Sequence, residues 1–282
     1  MGPLTSEQVN QYRKEGYCVS NSFLESDVLA ALLADLEAIC EDVTVETHDS
    51  KRLEMESGQS PDGKQVRRVY EPCTYYPKFR TLSESTKLLD AVEQLIGSHL
   101  TYHYSKINMK SPKIGAVVEW HQDLAYYPLT NRDSVTVLFY LDNANSRNGC
   151  LRVVPGCHAG PLMDHTRGGF FQGRVTEAVD ESKAVAIEGE AGAVIFMHCM
   201  TPHASAPNTS SIPRRTLILS YRAADAFPIY IGEMSAGMEA YVRHVRGEQL
   251  HTARFSMSSF PIPIYAQKTR SLYELQEFSR QG

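Results

Sequence analysis

Trp120-His121-Gln122-Asp123-Leu124, followed at once by Tyr126-Tyr127-Pro128, is the stretch on which the reading of this chain turns. The His-x-Asp pair comes after a β-rich segment. On an extended chain, residues two apart point to the same side. Their Cα atoms then stand about 6–7 Å apart, so one imidazole and one carboxylate can meet on a single ion. Gln122 points to the other side. Alone, the pair is a weak signal in a chain with 10 histidines; its weight comes from residues further along the chain.

A third ligand is required, and His203 supplies it, 80 residues after Asp123 and just past the apolar run Ala193–Met197. Two histidines and one carboxylate make the facial set of non-haem iron oxygenases, which keeps positions open for a cosubstrate and O₂. A zinc hydrolase accepts the same donors, so the ligand set leaves the metal open. His198, five residues before His203, is the rival and reads instead as a core or supporting histidine. His203-Ala204-Ser205 leads through a Pro/Asn/Ser loop to Pro213-Arg214-Arg215, which opens the strand Thr216–Arg222. A guanidinium is always charged and can bond both oxygens of a carboxylate. An arginine there suits the distal carboxylate of 2-oxoglutarate, with the 2-oxo acid end free to chelate iron. The Ser205 hydroxyl can donate to the same carboxylate. Arg214 and Arg215 are neighbours on one strand, so only one of them faces inward.

Outward from this centre the texture divides. Before Gly97 the chain is helical. Thr5 and Gln8 form a capping box opening a helix that ends at Gly16, a second helix follows Ser26, and a third covers 85–96. In the second helix Val28, Leu29, Leu32, Leu33, Leu36 and Ile39 make one apolar stripe. Residues 41–68 read as a polar loop, a candidate flap. After Gly97 come short β-rich runs (Thr101–Met109, Val135–Leu141, Cys150–Val154, Ala184–Ile187, Ala193–Met197, Thr216–Arg222) separated by turns such as Asn148-Gly149 and Pro155-Gly156. That pattern predicts a sandwich or barrel. Gly160–Ser182 reads as an insertion over an open end. Arg67, Arg68, Arg167 and Arg174 read as solvated charges, and His158 as serving its turn.

The 282 residues fit one domain: a helical flank and flap (1–97), a β core (98–225) and a C-terminal flank (226–282). A net charge of -5 argues against nucleic acid as a partner. No apolar run reaches the ~20 residues of a membrane helix, and no secretory segment opens the chain. Met1-Gly2-Pro3-Leu4-Thr5-Ser6 matches the bare myristoylation pattern, but no polybasic patch provides the second anchor. Six scattered cysteines without a C-x-x-C pair read as reduced thiols in a cytoplasmic protein. The oligomeric state cannot be read.

Three groups of residues together resemble the phytanoyl-CoA dioxygenase family: Trp120–Leu124 with Tyr126-Tyr127-Pro128; Asn148-Gly149-Cys150-Leu151 with Val154-Pro155-Gly156-Cys157-His158; and His203 followed eleven residues later by Arg214. The resemblance covers roughly residues 100–225. It implies a mainly β chain with a double-stranded β-helix (a cupin-like jelly roll) flanked by helices. It further implies Fe(II) on His121, Asp123 and His203, 2-oxoglutarate held by Arg214 with Ser205, and O₂ as oxidant. Phe139 falls where the family has an aromatic residue lining the cosubstrate pocket, and Lys106 where it has a pocket contact. Halogenating members carry a small residue in place of the carboxylate; this chain keeps Asp123, which favours hydroxylation. The implied activity is oxidation of a small organic metabolite with release of succinate and CO₂. Family substrates range from acyl-CoA thioesters to compatible solutes, phosphonates and secondary metabolites, so an acyl-CoA hydroxylase is the alternative within the family. A cosubstrate-independent cupin-type metalloenzyme, a zinc hydrolase and a non-catalytic binding protein are the alternatives outside it.

Overall fold

The structure is a computed structural model and describes residues 2–229, 239–265 and 272–281. The chain opens with α1 (Ser6–Glu15), β1 (Tyr17–Ser20) and α2 (Ser26–Cys40), then runs through β2 (Leu53–Met55) and β3 (Val66–Tyr70). The short helices α3 (Pro72–Tyr75) and α4 (Pro77–Ser83) lead to α5 (Thr86–Ile96). The β-rich part begins with β4 (Leu100–Lys110), β5 (Val118–His121), β6 (Ser134–Tyr140) and β7 (Leu151–Val153). A small hairpin, β8 (Thr166–Arg167) and β9 (Phe170–Phe171), precedes β10 (Val185–Ile187), β11 (Val194–His198), β12 (His203–Ser205) and β13 (Arg214–Ala223). Among the described residues, β14 (Arg243–Arg246) and α6 (Leu272–Gln281) complete the chain.

Two antiparallel sheets make the jelly roll. The larger is ordered β1-β11-β6-β13-β4-β3-β2, with β14 also paired to β4; the smaller is β10-β7-β12-β5. Strand alternation sorts the larger sheet into two faces. Val135, Val137 and Phe139 of β6, Leu217, Leu219 and Tyr221 of β13 and Ile107 of β4 join Leu32, Leu36, Leu88 and Val92 of the helices in one apolar cluster. Leu138, Tyr140 and Ile218 face the other way and pack with Leu151, Val153 and Ile187 between the sheets. Each fully buried side chain of this kind contributes about 1.5–3 kcal/mol.

The helix at Thr5 is capped as the sequence predicts: Thr5 Oγ1 accepts from the Gln8 amide and Gln8 Oε1 from the Thr5 amide. It ends at Gly16 with φ 82°, where a Cβ would also collide with Thr201 and His158. The Gly16 carbonyl then accepts from the His198 amide and from Thr201 Oγ1 at 2.8 Å each, tying α1 to the turn before His203.

Three expectations change. The 41–68 segment is not a free flap, because β2 and β3 within it extend the larger sheet through β4. Strands β1, β2 and β3, all before residue 98, thus belong to the same sheet as the later strands. Arg67 and Arg68 are not solvated: they are 8% and 4% exposed and face Glu54 and Glu56. Polar letters in 41–68 hide this, since the apolar partners of β3 lie on β4, forty residues away.

Candidate metal and cosubstrate site

His121 ends β5, Asp123 opens a single 3₁₀ turn after the extended Gln122, and His203 begins β12, paired directly opposite His121 in the smaller sheet. The three donor atoms all lie within 4.8 Å of one another, and all three residues are buried. Asp123 Oδ1 stands 3.9 Å from His121 Nε2 and 3.7 Å from His203 Nε2. The other ring nitrogens are spoken for. His121 Nδ1 meets the Glu119 carbonyl at 2.8 Å and His203 Nδ1 the Thr201 carbonyl at 3.0 Å. Each Nδ1 therefore carries the proton, which leaves both Nε2 lone pairs pointing at the shared centre. Burial, with His203 alongside, pushes the His121 imidazole well below its ordinary range, so it is neutral. Burial opposes the charge on Asp123, but His203, His121 and the Thr136 hydrogen bond hold its carboxyl below the usual range. Imidazole Nε2 atoms and an ionised carboxylate are the donor set a divalent cation takes.

Gln122, on the opposite side as expected, anchors this turn. Its Nε2 donates to the Met200 carbonyl at 2.6 Å, and its Oε1 accepts from the Met163 amide at 2.7 Å. The insertion at 160–182 is held there, and its Val175 amide bonds the Trp120 carbonyl at 2.7 Å.

A cavity of about 570 Å³, counting its open mouth, runs inward from the three donors. Its lining includes Lys106, Ser205 and Arg214. Arg214 is 5% exposed; its Nη1 donates to Thr216 Oγ1 at 2.6 Å, while its Nε is buried without a partner. A buried, unmatched guanidinium N–H is costly unless an anion answers it. Arg215 faces out, with Nε and Nη2 on Asp142 at 2.9 and 2.7 Å and Nη1 3.6 Å from Glu37. Of the two arginines, Arg214 is therefore the one that faces the cavity.

The same parity corrects Phe139. It faces the helices, its ring 6.0 Å from that of Phe23, in the apolar cluster on the far side of the sheet. Thr136, Leu138 and Tyr140 line the cavity instead. Tyr140 is fixed by its hydroxyl, which donates to the Ile187 carbonyl at 2.7 Å and accepts from the Leu151 amide at 3.0 Å. His198 and His158 lie elsewhere, their rings 5.2 Å apart, with His158 Nε2 on the Arg13 carbonyl.

Asn108, Thr136, Tyr140 and Tyr104 also line the cavity, and no sequence motif points to them. A weaker signal exists: Lys106, Asn108 and Lys110 alternate with Ile107 and Met109, which is a polar face on a central strand. Lys110 is buried and holds the Ala116 and Ala206 carbonyls at 2.5 and 2.6 Å.

The sequence model of the phytanoyl-CoA dioxygenase family matches residues 12–216. The chain belongs to the phytanoyl-CoA dioxygenase family. A protein of Stutzerimonas stutzeri, named a probable alpha-ketoglutarate-dependent hypophosphite dioxygenase, is 35% identical over 231 residues, covering 79% of this chain and 80% of that one. Among solved structures, SnoK, a non-heme alpha ketoglutarate dependent carbocyclase from nogalamycin biosynthesis, aligns with a TM-score of 0.66 and 26% identity over 80% of this chain and 86% of its own. EctD from S. alaskensis with 2-oxoglutarate and 5-hydroxyectoine shares the fold, with a TM-score of 0.68 at 22% identity over 90% and 88% of the two chains. This family member is an Fe(II)- and 2-oxoglutarate-dependent dioxygenase.

Proposed function

We propose that this dioxygenase binds Fe(II) through His121 Nε2, Asp123 Oδ1 and His203 Nε2, and hydroxylates a compact small molecule. Arg214 and Ser205 hold the distal carboxylate of 2-oxoglutarate. The observation that carries this reading is the buried, unpartnered Arg214 Nε in the same cavity as the three donors. Held there, Fe(II) would supply O₂ activation coupled to loss of CO₂ from the keto acid, the overall change being substrate, 2-oxoglutarate and O₂ to oxidised product, succinate and CO₂.

The chain's own part is geometry and exclusion of water. The carbonyls of Glu119 and Thr201 fix the two imidazoles, Thr136 fixes the carboxylate, and Thr216 steadies Arg214. Ser205 lies two residues past His203 on β12, so its hydroxyl is on the face that carries the ligand. The Asn148-Gly149 turn supports that strand: Gly149 has φ 79°, and a Cβ there would collide with the Ala206 carbonyl.

A compact substrate is favoured over an acyl-CoA because the closed part of the cavity is small, about 50 Å³, and the same space must also take the keto acid. The Stutzerimonas relative is likewise named for a compact substrate. These roles put all catalytic contacts on one unit formed by the whole chain. Six free cysteines favour a cytoplasmic location. Among the described residues no helix is long and apolar enough to cross a membrane.

The test is succinate release from labelled 2-oxoglutarate by protein reconstituted with Fe(II) under argon and then exposed to O₂. Wild type is expected to turn over, with His121→Ala and Asp123→Ala reduced to background. Equal turnover by either variant would overturn the ligand assignment.

A further inference from the structure

We propose that Lys106 and Arg68 form an anion-binding subsite beside the metal donors, and that the substrate is a compact molecule carrying one negative charge. The inference rests on the proposed iron and 2-oxoglutarate site and names the substrate class for it.

Lys106 points from β4 into the cavity beside His121 and Asp123. It is partly buried, and among the described residues no hydrogen bond or ion pair reaches its ammonium; the Tyr104 ring lies 5.3 Å from it. Arg68 sits on β3, where its residue pairs with Asn108, another cavity-lining position. Its Nε donates to Asn108 Oδ1 at 2.9 Å, and its Nη2 is buried without a partner. The Tyr70 and Tyr273 rings stack beside its guanidinium at 5.5 and 4.9 Å, fixing the plane of the fork.

Among the cations that line the cavity, charge accounting isolates Lys106. In the loaded site the two charges of Fe(II) and the one of Arg214 are matched by Asp123 and the dianionic keto acid. Arg67 and Arg68 are matched by Glu54 and Glu56, at separations from 2.8 to 3.7 Å. The Lys106 charge is left over. An uncompensated ammonium inside a cavity is unfavourable, and a substrate bringing one negative charge removes that penalty on binding. A group with two or more acceptor oxygens answers the ammonium, on the side of the cavity where Arg68 stands behind Asn108 and holds it. Carboxylate, phosphinate and monoanionic phosphonate share that chemistry.

Tyr104 lines the cavity and stands ring to ring with Tyr127 at 5.5 Å, while Tyr126 meets the His121 ring edge-on at 5.5 Å. Gln276 of α6 joins the neighbouring segments, with Oε1 on the Glu119 amide at 3.1 Å and Nε2 on the Gly173 carbonyl at 2.6 Å.

The test is equilibrium binding under argon to full-length protein loaded with Fe(II) and 2-oxoglutarate. The probes are hypophosphite, methylphosphonate and acetate, with acetamide as the neutral control. At least one anion is expected to bind about tenfold or more tighter than acetamide. Lys106→Met should lose about tenfold or more of that affinity and Lys106→Arg should recover most of it. Arg68→Lys should weaken the anion as well, and 2-oxoglutarate affinity should fall clearly less than anion affinity in all variants. Anions binding no tighter than acetamide would overturn the proposal, as would Lys106→Met weakening 2-oxoglutarate as much as the anion. Wild type that fails to bind 2-oxoglutarate would overturn the proposed cosubstrate site itself, and this inference with it.

Discussion

Thr136 Oγ1 donates a 2.6 Å hydrogen bond to Asp123 Oδ2, which leaves Oδ1 as the carboxylate atom facing both imidazole Nε2 atoms. The bond joins the larger sheet to the turn after β5, so the ligand geometry depends on how the two sheets are packed. Thr136→Val keeps the shape and removes the donor. Fe(II) affinity should fall about 10–100-fold, as for other partners of metal ligands. An anaerobic Fe(II) titration measures it, and Thr136→Ser should stay close to wild type. Unchanged affinity in the valine variant would show that the bond positions nothing.

Arg214 and Arg215 should separate cleanly. Arg214→Met would remove the proposed buried charged contact to the cosubstrate, worth about 2–5 kcal/mol, so 2-oxoglutarate affinity should drop at least about 30-fold with iron affinity little changed. Arg215→Ala breaks only the partly exposed pair with Asp142, costing about 1 kcal/mol or less of stability and leaving 2-oxoglutarate binding intact. Calorimetric titration with 2-oxoglutarate and a thermal melt read the two effects.

Phe139 and Tyr140 are adjacent and should fail in different ways. Phe139→Ala opens a hole in the cluster beneath the helices and should cost about 3–5 kcal/mol in a denaturant melt. Tyr140→Phe strands the Leu151 amide and Ile187 carbonyl, costing about 1–3 kcal/mol, and disturbs the wall of the cosubstrate cavity. At temperatures where both variants are folded, only the Tyr140 change should alter 2-oxoglutarate affinity.

Anion binding should depend on pH through Lys106. Burial, with the Arg68 charge nearby, pulls its ammonium down to about 8, while Asp123 and Glu54 act the other way. The cation that attracts the substrate is present below that value and is lost above it. A bound anion favours the charged form, so affinity should be level below about pH 7.5 and decline through about 8 and beyond. In Lys106→Met the decline should vanish. A wild-type profile flat from about pH 7 to 9.5 would contradict this.

The chain's letters carried the three candidate donors and the class of fold. His121, Asp123, His203 and the arginine pair were legible because their chemistry is rare and their spacing on extended segments is fixed by the two-residue period of a strand. The capping box at Thr5 and the run Val135–Leu141 were equally plain, since helix caps and buried strands are local patterns. What lay hidden was long-range. Strand β3, with its valines and arginines, reads as loop until β4 pairs with it, and only that pairing buries Arg67 and Arg68. The shift from Phe139 to Tyr140 has the same origin: a one-residue change of register exchanges the faces of a strand, and both faces of β6 are buried. The sequence by itself determined which groups are the candidates for a ferrous ion and a dicarboxylate. The tertiary structure alone decided which side chains share the cavity with them, because strand pairing between distant segments sets which face of each strand looks inward.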